Sequence, residues 1–339
     1  MNNIKVKNKS LNILIMSAGR ATPLFFAFRK AFNGLHIKGK IIAIDIDPYA
    51  AALQFADTSY IVPRQNSIHF KSALKKIISK ENISLVIPLS DDDVMYLARE
   101  KKELQSSGAI LLIPDLAIAK LSFNKLEFLE FCRKHHFKTP KVYTSAYLKK
   151  GLKKLIFPLF INSNTGKGSR FAHKIEDAHD LKYFLKKINL PIVMEYIDAP
   201  EYSIDCFCDF DGNVISVVPR RRTFVWGGEA FVSVTEKNLK IIDTTVNLLR
   251  KLHMSGPVNI QCFFKNNEVI FFEMNPRLGG ASRLAIEAGA ETPKLILNLL
   301  QGKEARPRIG TFKNKFVMLR YKDDIFIDEK DVKKNTKIY

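Results

Sequence analysis

Polar side chains recur at every second position in an apolar run close to residue 270. The segment FFEMNPR places Glu273, Asn275 and Arg277 two residues apart. Alternate side chains of a β-strand project from the same face. A glutamate in so apolar a strand costs free energy unless it is paired or bound to a metal. The spacing therefore predicts a ligand-binding face, and a solvated glutamate on an edge strand is the alternative interpretation.

An apolar run at residues 258–264 comes before this segment and contains Gln261. The two runs read as a hairpin, and its loop decides whether Gln261 and Glu273 share a face, because a one-residue slip would separate them. A two-residue Asn266-Asn267 turn would place them on opposite faces. A three-residue loop, Lys265 to Asn267, would pair Gln261 with Phe271 and bring the polar groups together. We predict the three-residue loop.

Magnesium and phosphate are the ligands that suit these side chains. The oxygens of Gln261, Glu273 and Asn275 are of the kind that Mg²⁺ takes as ligands. Arg277 has a planar fork of N–H groups that fits phosphate oxygens. Arg283, just inside the next predicted helix, is a candidate substrate contact, and a surface charge is the alternative.

The elements that must position this hairpin begin with alternating strands and helices. Apolar runs at residues 12–16, 40–46 and 84–89 predict strands, and residues 23–32 have helical periodicity. Such alternation predicts a parallel sheet with helical crossovers. The turn at residues 17–20 lacks the GxGxxG glycines, so we interpret it as a structural turn rather than a dinucleotide site.

Three further segments complete this outline. Asp91 to Asp93 predict a helix N-terminus, where free N–H groups favour carboxylates, in preference to a metal cluster. An apolar stripe predicts one helix over residues 120–135. The glycine-rich loop at residues 162–170 has backbone N–H groups and a lysine, Lys167, that could close over phosphates, although many surface turns look like this.

Composition narrows the class of protein. A chain of 339 residues with 46% hydrophobic and 26% charged residues predicts two or three folded units. No apolar run approaches the ~18 residues of a bilayer span. The four scattered cysteines predict core thiols in a reducing cytoplasm. The net charge of +20 is interpreted as a solvated basic face, because no basic stripe with interleaved aromatics, typical of nucleic-acid binding, is visible.

With these residues in this order, the chain resembles the ATP-grasp superfamily. The similarity is to the branch that contains one half of the carbamoyl-phosphate synthetase large subunit and the single-chain amino-acid ligases, and FEMNPRLGG is its most specific part. The resemblance implies an α/β fold, in which an N-terminal parallel-sheet (pre-ATP-grasp, Rossmann-like) domain precedes a two-lobed α+β ATP-grasp domain. The expected boundaries are residues 1–115 for the first domain, 116–190 for the small lobe, 191–310 for the large lobe and 311–339 for a basic C-terminal extension.

The resemblance also implies a site for ATP and Mg²⁺ (or Mn²⁺). Gln261, Glu273 and Asn275 match the metal ligands, Gln261 and Glu273 also belong to the nucleotide site, and Arg277 matches the contact to phosphate and acyl phosphate. The other matched positions are the basic phosphate contact Lys125, the phosphate loop Gly166, Lys167, Gly168 and Ser169, the adenine-reading hinge Glu195, Tyr196 and Ile197, and the ribose carboxylate Glu201.

Two segments relate differently to the family pattern. Asn162 occupies the position at which the family usually has a second Lys or Arg near phosphate and adenine, and Lys167 is the candidate to compensate. The segment RRRTFVWGGEA lies where the family has a substrate-facing loop. Arg220 and Arg222 are expected to bind an anionic substrate group there, with Gly228 allowing close approach. A basic surface hairpin is the alternative.

The expected activity is that of an ATP-dependent, ADP-forming ligase that joins a carboxylate, such as an amino acid, to an amine through an acyl phosphate. Arg277 and Lys125 would stabilise the transferring phosphoryl group by their charge. A non-catalytic ATP-binding sensor and, with less support, a nucleic-acid-associated protein are the alternatives. The expected partners are small-molecule carboxylate and amine substrates, and a homodimer is left open.

Overall fold

The structure is a computed structural model that describes residues 10–144, 147–148, 155–165, 171–334 and 336–339. These residues form three β-sheets with helices packed against them. The strands are β1 (Asn12–Met16), β2 (Ile41–Asp45), β3 (Thr58–Ile61), β4 (Ile83–Pro88), β5 (Ile110–Leu111), β6 (Val142–Tyr143), β7 (Leu159–Ser163), β8 (His173–Ile175), β9 (Pro191–Glu195), β10 (Glu201–Cys208), β11 (Val214–Trp226), β12 (Glu229–Thr235), β13 (Gly256–Lys265), β14 (Glu268–Asn275), β15 (Val317–Leu319) and β16 (Thr336–Ile338). The helices are α1 (Thr22–Gly34), α2 (Phe70–Lys80), α3 (Asp91–Arg99), α4 (Lys101–Gln105), α5 (Leu116–Phe123), α6 (Lys125–Lys134), α7 (Ala178–Lys187), α8 (Leu239–Leu252), α9 (Arg283–Ala285), α10 (Thr292–Leu300) and α11 (Glu329–Lys334).

The first sheet is parallel throughout, with the strand order β16-β3-β2-β1-β4-β5. Both faces of this sheet are covered by other elements, so the side chains on both faces of its central strands are apolar. Ile13 and Ile15 pack into one core with helix α1, and Leu14 and Met16 pack into another with helices α2 and α3. The predicted parallel sheet with helical crossovers is confirmed.

Helix α3 begins at the carboxyl end of β4, where three aspartates follow each other. The Ser90 side chain accepts a hydrogen bond from the Asp93 backbone N–H, and the Asp93 carboxylate accepts one from the Ser90 backbone N–H. This reciprocal pair is a capping box, which satisfies two N–H groups that the helix leaves unpaired. The predicted helix N-terminus is confirmed. Asp91, the first residue of the helix, takes no part in this capping box.

The second sheet is antiparallel, with the order β14-β13-β10-β11-β12-β15. One of its faces packs on helices α6 and α8 through a large apolar core that includes Ile204, Ile260, Phe128 and Leu249. Strands β10 and β13 lie next to each other at the centre of this sheet. Their other face carries polar side chains, including Glu201 and Gln261, which sequence analysis singled out.

A smaller antiparallel sheet, ordered β6-β9-β7-β8, lies between these two in the chain. The single helix predicted for residues 120–135 is wrong, because the structure has two helices, α5 and α6, separated at Asn124. Asn124 has an extended backbone, and its side chain accepts a hydrogen bond from the Glu127 N–H. Asparagine favours this N-cap role over a position inside a helix, which explains the break.

The residues beyond 310, predicted to be a basic extension, contribute strands to two sheets. Strand β15 pairs with β12 at the edge of the antiparallel sheet, and β16 pairs with β3 at the edge of the parallel sheet. The ring of Tyr339 lies 5.2 Å from that of Tyr60. The four domain boundaries given above stay predictions.

Two predictions from composition can be checked against the described residues. All four cysteines are free and buried, as core thiols should be, and burial raises the pKa of Cys132 to about 12. None of the helices described has the length and hydrophobicity that a membrane span requires.

Candidate active site

The polar face of the antiparallel sheet begins on β10. Glu201, Ser203 and Asp205 alternate with the apolar side chains that face the core, so they project from the opposite side. The pairing register sets Ser203 opposite Gln261 and Asp205 opposite Asn259 on β13. Directly opposed residues of neighbouring strands share a face. Carboxylates and amides from two strands therefore meet on one surface.

The β13–β14 hairpin differs from its prediction in one respect. Its loop is the two-residue turn Asn266-Asn267, in which both residues have positive φ angles of 51° and 62°. Asparagine tolerates this conformation, which two-residue hairpin turns of this type require. The predicted three-residue loop is therefore wrong. With a regular ladder, this turn would place Gln261 and Glu273 on opposite faces.

A β-bulge between the turn and the site restores the predicted arrangement. Cys262 pairs with Phe271, but the next pair along is Gln261 with Glu273, so Phe272 is an extra residue on β14. One extra residue exchanges the two faces of the strand beyond it. Gln261 and Glu273 are thus directly opposed, on the same face.

The predicted metal trio is accordingly brought together. Asn275 lies opposite Asn259, and its Nδ2 is 3.5 Å from Oε1 of Glu273. Gln261, Glu273 and Asn275 are all partly exposed. The three side chains thus lie at neighbouring positions of one partly exposed face, and each carries an oxygen of the kind that binds a hard cation.

Asp205 and Arg220 form a buried ion pair beside the trio. The distance from Arg220 Nε to Asp205 Oδ2 is 2.7 Å, and the two residues are only 3% and 8% exposed. Asn259 Nδ2 donates to the other oxygen of Asp205 at 2.7 Å. Arg220, predicted to bind substrate, is therefore held inside the sheet face by Asp205, and Asp205 also orients Asn259 next to Asn275.

A second arginine pair lies farther along the same strands. Arg222 forms an ion pair with Glu201, and its Nη2 donates to the carbonyl oxygen of Gly228 at 2.9 Å. Burial raises the pKa of Glu201, and the negative charge of Glu273 raises it further, against the opposing effect of Arg222. The predicted ribose carboxylate and two predicted substrate residues thus contact one another.

Arg277 connects this face to the parallel sheet. Its Nε is 2.8 Å from Asp91 Oδ1 and its Nη2 is 3.2 Å from Asp91 Oδ2, so the pair is bidentate. Both side chains are mostly buried, at 20% and 16% exposure. The first residue of helix α3 therefore fixes the guanidinium that was predicted to contact phosphate.

Among the described residues, Arg283 makes no hydrogen bond with Gln261, Glu273 or Asn275. Its Nε is 2.8 Å from Glu287 Oε1, and its Nη1 donates to the carbonyl oxygen of Pro23 at 2.9 Å. Glu287 also pairs with Lys30 of helix α1. These contacts attach helix α9 to the first domain, which fits an anchoring role better than the predicted substrate contact.

The small lobe presents Lys125 next to the end of strand β7. The Lys125 N–H donates to the carbonyl oxygen of Asn164 at 3.0 Å, and the Leu126 N–H donates to the Asn164 side chain at 2.8 Å. Lys125 is 8% exposed. Asn162 uses its side-chain oxygen to accept from the Ser163 N–H at 2.8 Å. The other predicted members of this group, Gly166, Lys167, Gly168 and Ser169, lie outside the described residues.

The predicted hinge follows strand β9. The carboxylate of Glu195 accepts from the Lys141 N–H at 2.9 Å, and Ile197 is buried. Tyr196 has the ammonium of Lys174 4.9 Å from its ring centroid. Lys174, on β8, therefore brings a positive charge to the hinge from a position that sequence analysis did not single out.

Asp91, Asp205 and Asn259 are the other residues that sequence analysis gave no role at the site. Asp205 could have been found by the signal that identified Glu273, which is a carboxylate within an otherwise apolar strand. Asp91 carried no such signal, because aspartate at a helix N-terminus is explained by the helix alone.

A parallel-sheet domain, followed by two lobes with a carboxylate and amide face, is the architecture of the proteins that grip ATP between lobes. The family model "ATP-grasp in the biosynthetic pathway with Ter operon" matches residues 188–322, and the model "PylC-like, N-terminal domain" matches residues 13–112. The resemblance to the ATP-grasp superfamily that FEMNPRLGG predicted is thereby confirmed.

Known proteins agree with this assignment. The formate-dependent phosphoribosylglycinamide formyltransferase of Prochlorococcus marinus subsp. pastoris is 27% identical over 70% of this chain and 64% of its own length, and carbamoyl phosphate synthase large chains also match. The chain therefore spans less than two thirds of the length of these curated relatives.

Two solved structures show the same fold. The biotin carboxylase domain of Hydrogenobacter thermophilus 2-oxoglutarate carboxylase, in complex with MgADP and bicarbonate, has a TM-score of 0.72 at 14% identity, covering 91% of this chain and 73% of that one. An L-amino acid ligase from Bacillus licheniformis has a TM-score of 0.68 at 18% identity, covering 89% and 78% of the two chains.

Proposed function

We propose that this protein is an ATP- and Mg²⁺-dependent ligase that joins a carboxylate to an amine through an acyl phosphate. The observation that carries the proposal is the side-by-side placement of Gln261, Glu273 and Asn275. Within the described residues, Glu273 forms no ion pair with a lysine or arginine, so its charge is available to a cation. The resemblance to the ATP-grasp superfamily and the MgADP bound to a structural neighbour support a nucleotide at this face.

The donor set fits Mg²⁺. This ion takes oxygen ligands, keeps several of its waters and is usually held by one or two carboxylates together with substrate phosphates. One carboxylate and two amide side chains, all partly exposed, supply such a set and leave room for phosphate and water. When bound, the ion would neutralise charge on the β- and γ-phosphates.

The cationic residues would do the remaining electrostatic work. Lys125 lies at the start of helix α6, beside the loop that follows β7. Arg277 is fixed by Asp91 before any ligand arrives, so little reorganisation would be needed to present it to the transferring group. The hinge at Glu195 to Ile197 would read adenine, and Glu201 would share its carboxylate between Arg222 and the ribose hydroxyls.

An amino acid or a similar small carboxylate is the proposed first substrate. The likeness in fold to an L-amino acid ligase supports this class. The second substrate would be an amine that displaces phosphate from the acyl phosphate. The reaction needs no side-chain nucleophile, because the carboxylate of the substrate attacks the γ-phosphate itself and ADP is the leaving group.

Calorimetry with Mg²⁺ and ATP, combined with an ADP-release screen over amino acids, small carboxylates and amines, tests the proposal. Glu273→Gln removes one charged oxygen at nearly constant size. We expect it to weaken Mg²⁺-dependent ATP binding and to lower ADP release at least about a hundredfold, since even outer-shell changes at metal sites cost 10–100-fold.

Glu268→Gln is the matched control, because Glu268 lies on the same strand and pairs with Lys138 at the surface. It should leave both measurements unchanged. Equal turnover of the Glu273→Gln variant and the unmodified protein would refute the proposed site. ATP binding without turnover against the whole screen would favour a non-catalytic sensor instead.

A further inference from the structure

The β11–β12 hairpin extends beyond the polar face and carries apolar side chains into solvent. Arg222 has a side chain only 7% exposed, whereas Phe224, Val225 and Trp226 are 55%, 39% and 60% exposed. Large apolar side chains next to each other on a surface are uncommon unless something binds there. Trp226 is also the only tryptophan of the chain.

Contacts, rather than the register, place this surface beside the candidate active site, because the pairing of β11 with β12 is irregular on both sides of Phe224. Arg222, which pairs with Glu201, is opposite Ser233, and Trp226 is opposite Glu229 at the tip of the hairpin. The rings of Trp226 and Phe231 are 5.5 Å apart at 70°. The two rings therefore form one aromatic surface beyond the pair of Arg222 with Glu201.

The hairpin tip is attached to the site by several contacts. Arg320 binds Glu229 with Nη1 at 2.8 Å, and its Nη2 donates to the carbonyl oxygen of Gly280 at 2.5 Å. The Arg320 N–H donates to the Phe231 carbonyl at 2.8 Å. Gly280 belongs to the turn that follows the Arg277 segment. The aromatic surface is thus formed before binding, which reduces the ordering cost that a ligand would meet.

Positive charge surrounds the two rings. Lys322 Nζ is 4.5 Å from the ring centroid of Trp226, and the guanidinium carbon of Arg320 is 5.9 Å from that of Phe231. Arg20, with 85% of its side chain exposed, is 3.9 Å from Glu229. Arg20 and Arg320 thus share the carboxylate of Glu229, and Lys322 lies over the indole, so the cations next to the rings favour an anionic ligand.

We infer that Trp226 and Phe231, with Lys322 and Arg320, bind one of the two substrates of the ligase proposed above, and that this substrate carries an aromatic ring next to an anionic group. The inference rests on that proposed function. A flat ring would stack on or against the indole, and its carboxylate would replace Glu229 or water as a partner of the cations. The hydrogen bond from Arg320 to Gly280 places this surface next to the segment that follows Arg277.

ADP release with matched compounds tests the inference. The aromatic set is benzoate, 4-hydroxybenzoate, phenylacetate and L-phenylalanine; the matched set is acetate, propionate and L-alanine, with benzamide as the uncharged aromatic. Each is tested as substrate with MgATP, and its binding is measured by quenching of Trp226 fluorescence. We expect at least one aromatic acid to exceed its aliphatic counterpart about tenfold in kcat/KM, and benzamide to bind more weakly.

Trp226→Ala should lower kcat/KM for that aromatic acid about tenfold or more, because it removes a stacking partner, and should leave MgATP affinity unchanged. Trp226→Phe should retain most of the activity. Tyr183→Ala, which removes another exposed ring on helix α7, is the matched control and should change neither quantity.

Preference for aliphatic acids, or an aromatic acid turned over equally by the Trp226→Ala variant, would overturn the inference. So would tight binding of a single-stranded oligonucleotide that depends on Trp226 and falls steeply with salt. Failure of the ligase proposal is recognised separately, because it would appear as MgATP binding that does not depend on Glu273. Quenching of Trp226 by the aromatic acids would still report on their binding in that case.

Discussion

Three carboxylates on one face of the antiparallel sheet have different partners. Asp205 is paired with Arg220 and Glu201 with Arg222, whereas Glu273 has only the amide of Asn275 at 3.5 Å among the contacts of the described residues. A carboxylate removed from water needs a compensating charge or hydrogen bonds. Asp205 and Glu201 each have a compensating charge within the protein, and among the described residues Glu273 does not.

This difference separates the residues that maintain the face from the residue that can bind a cation. Asp205 and Glu201 hold arginines that sequence analysis assigned to substrate, so those arginines contribute first to the structure. The charge of Glu273 raises the pKa of Glu201 in addition to the effect of burial.

The largest effect is expected for the most buried pair. Asp205→Ala would leave the Arg220 guanidinium uncompensated at 3% exposure, and breaking such a pair typically costs about 3–5 kcal/mol of the free energy of unfolding. Urea unfolding followed by circular dichroism measures the loss. The double variant Asp205→Ala with Arg220→Met should recover about 1 kcal/mol or more of it. A loss below about 1 kcal/mol for the single variant would mean that the pair does not stabilise the face.

Glu273→Gln should leave the free energy of unfolding almost unchanged in the absence of metal. Because no lysine or arginine of the described residues pairs with Glu273, the neutral amide should change the free energy of unfolding by no more than about 0.5 kcal/mol without metal, as for a surface position. The same urea titration measures it, first without and then with Mg²⁺. Only the unmodified protein should gain stability from the ion together with ATP. A loss of about 2 kcal/mol or more without metal would show that Glu273 has a structural partner.

The smallest effect is expected on the pKa of Glu201 and on the pH dependence of stability that follows from it. A carboxyl whose pKa is raised on folding binds its proton more tightly in the folded state, so its contribution to stability falls as pH rises from the unfolded value near ~4.3 through the folded pKa. The charge of Glu273 is one cause of the raised pKa of Glu201. Glu273→Gln should therefore lower the pKa of Glu201 and shorten that pH interval. Carbon-detected NMR titration of the Glu201 carboxyl measures the change, with Glu268→Gln as the control, and an unchanged titration would show that the two carboxylates do not interact.

Strands β1, β2 and β4 of the parallel sheet were predicted from the sequence with ends displaced by at most one residue, whereas β3, β5 and β16 were not predicted. Strand β1 was predicted at residues 12–16 and is found there, because strands covered on both faces are unbroken apolar runs with turns at their ends. The break at Asn124 was missed, because the apolar stripe continues through it. Hydrophobic periodicity does not show a cap inside such a stripe.

The face of the trio was predicted correctly from an incorrect loop. Sequence pattern required Gln261 and Glu273 to share a face, and an odd loop was the simplest way to achieve it. The protein uses an even turn and the extra residue Phe272. Nothing in the local sequence distinguishes these two solutions, since both give the same faces beyond the bulge.

The arginine pairs could not be predicted, for a different reason. Arg277 and Asp91 are 186 residues apart and come together only through the packing of the two domains. Arg220 and Arg222 were assigned to substrate because arginine often binds anions. Their carboxylates, Asp205 and Glu201, become partners only once the register of β10 and β11 is known.

The contact between Arg277 and Asp91 has a consequence for communication between the two domains. All three nitrogens of the guanidinium already have acceptors, two of them on Asp91 and the third, at 3.4 Å, the carbonyl oxygen of Leu278. A guanidinium has five N–H groups, so a phosphate that approached Arg277 would take the hydrogens left on Nη1 and Nη2 and would share the positive charge with Asp91. Nucleotide bound at the proposed site would therefore affect the start of helix α3, and a change at that helix would alter nucleotide affinity from a distance.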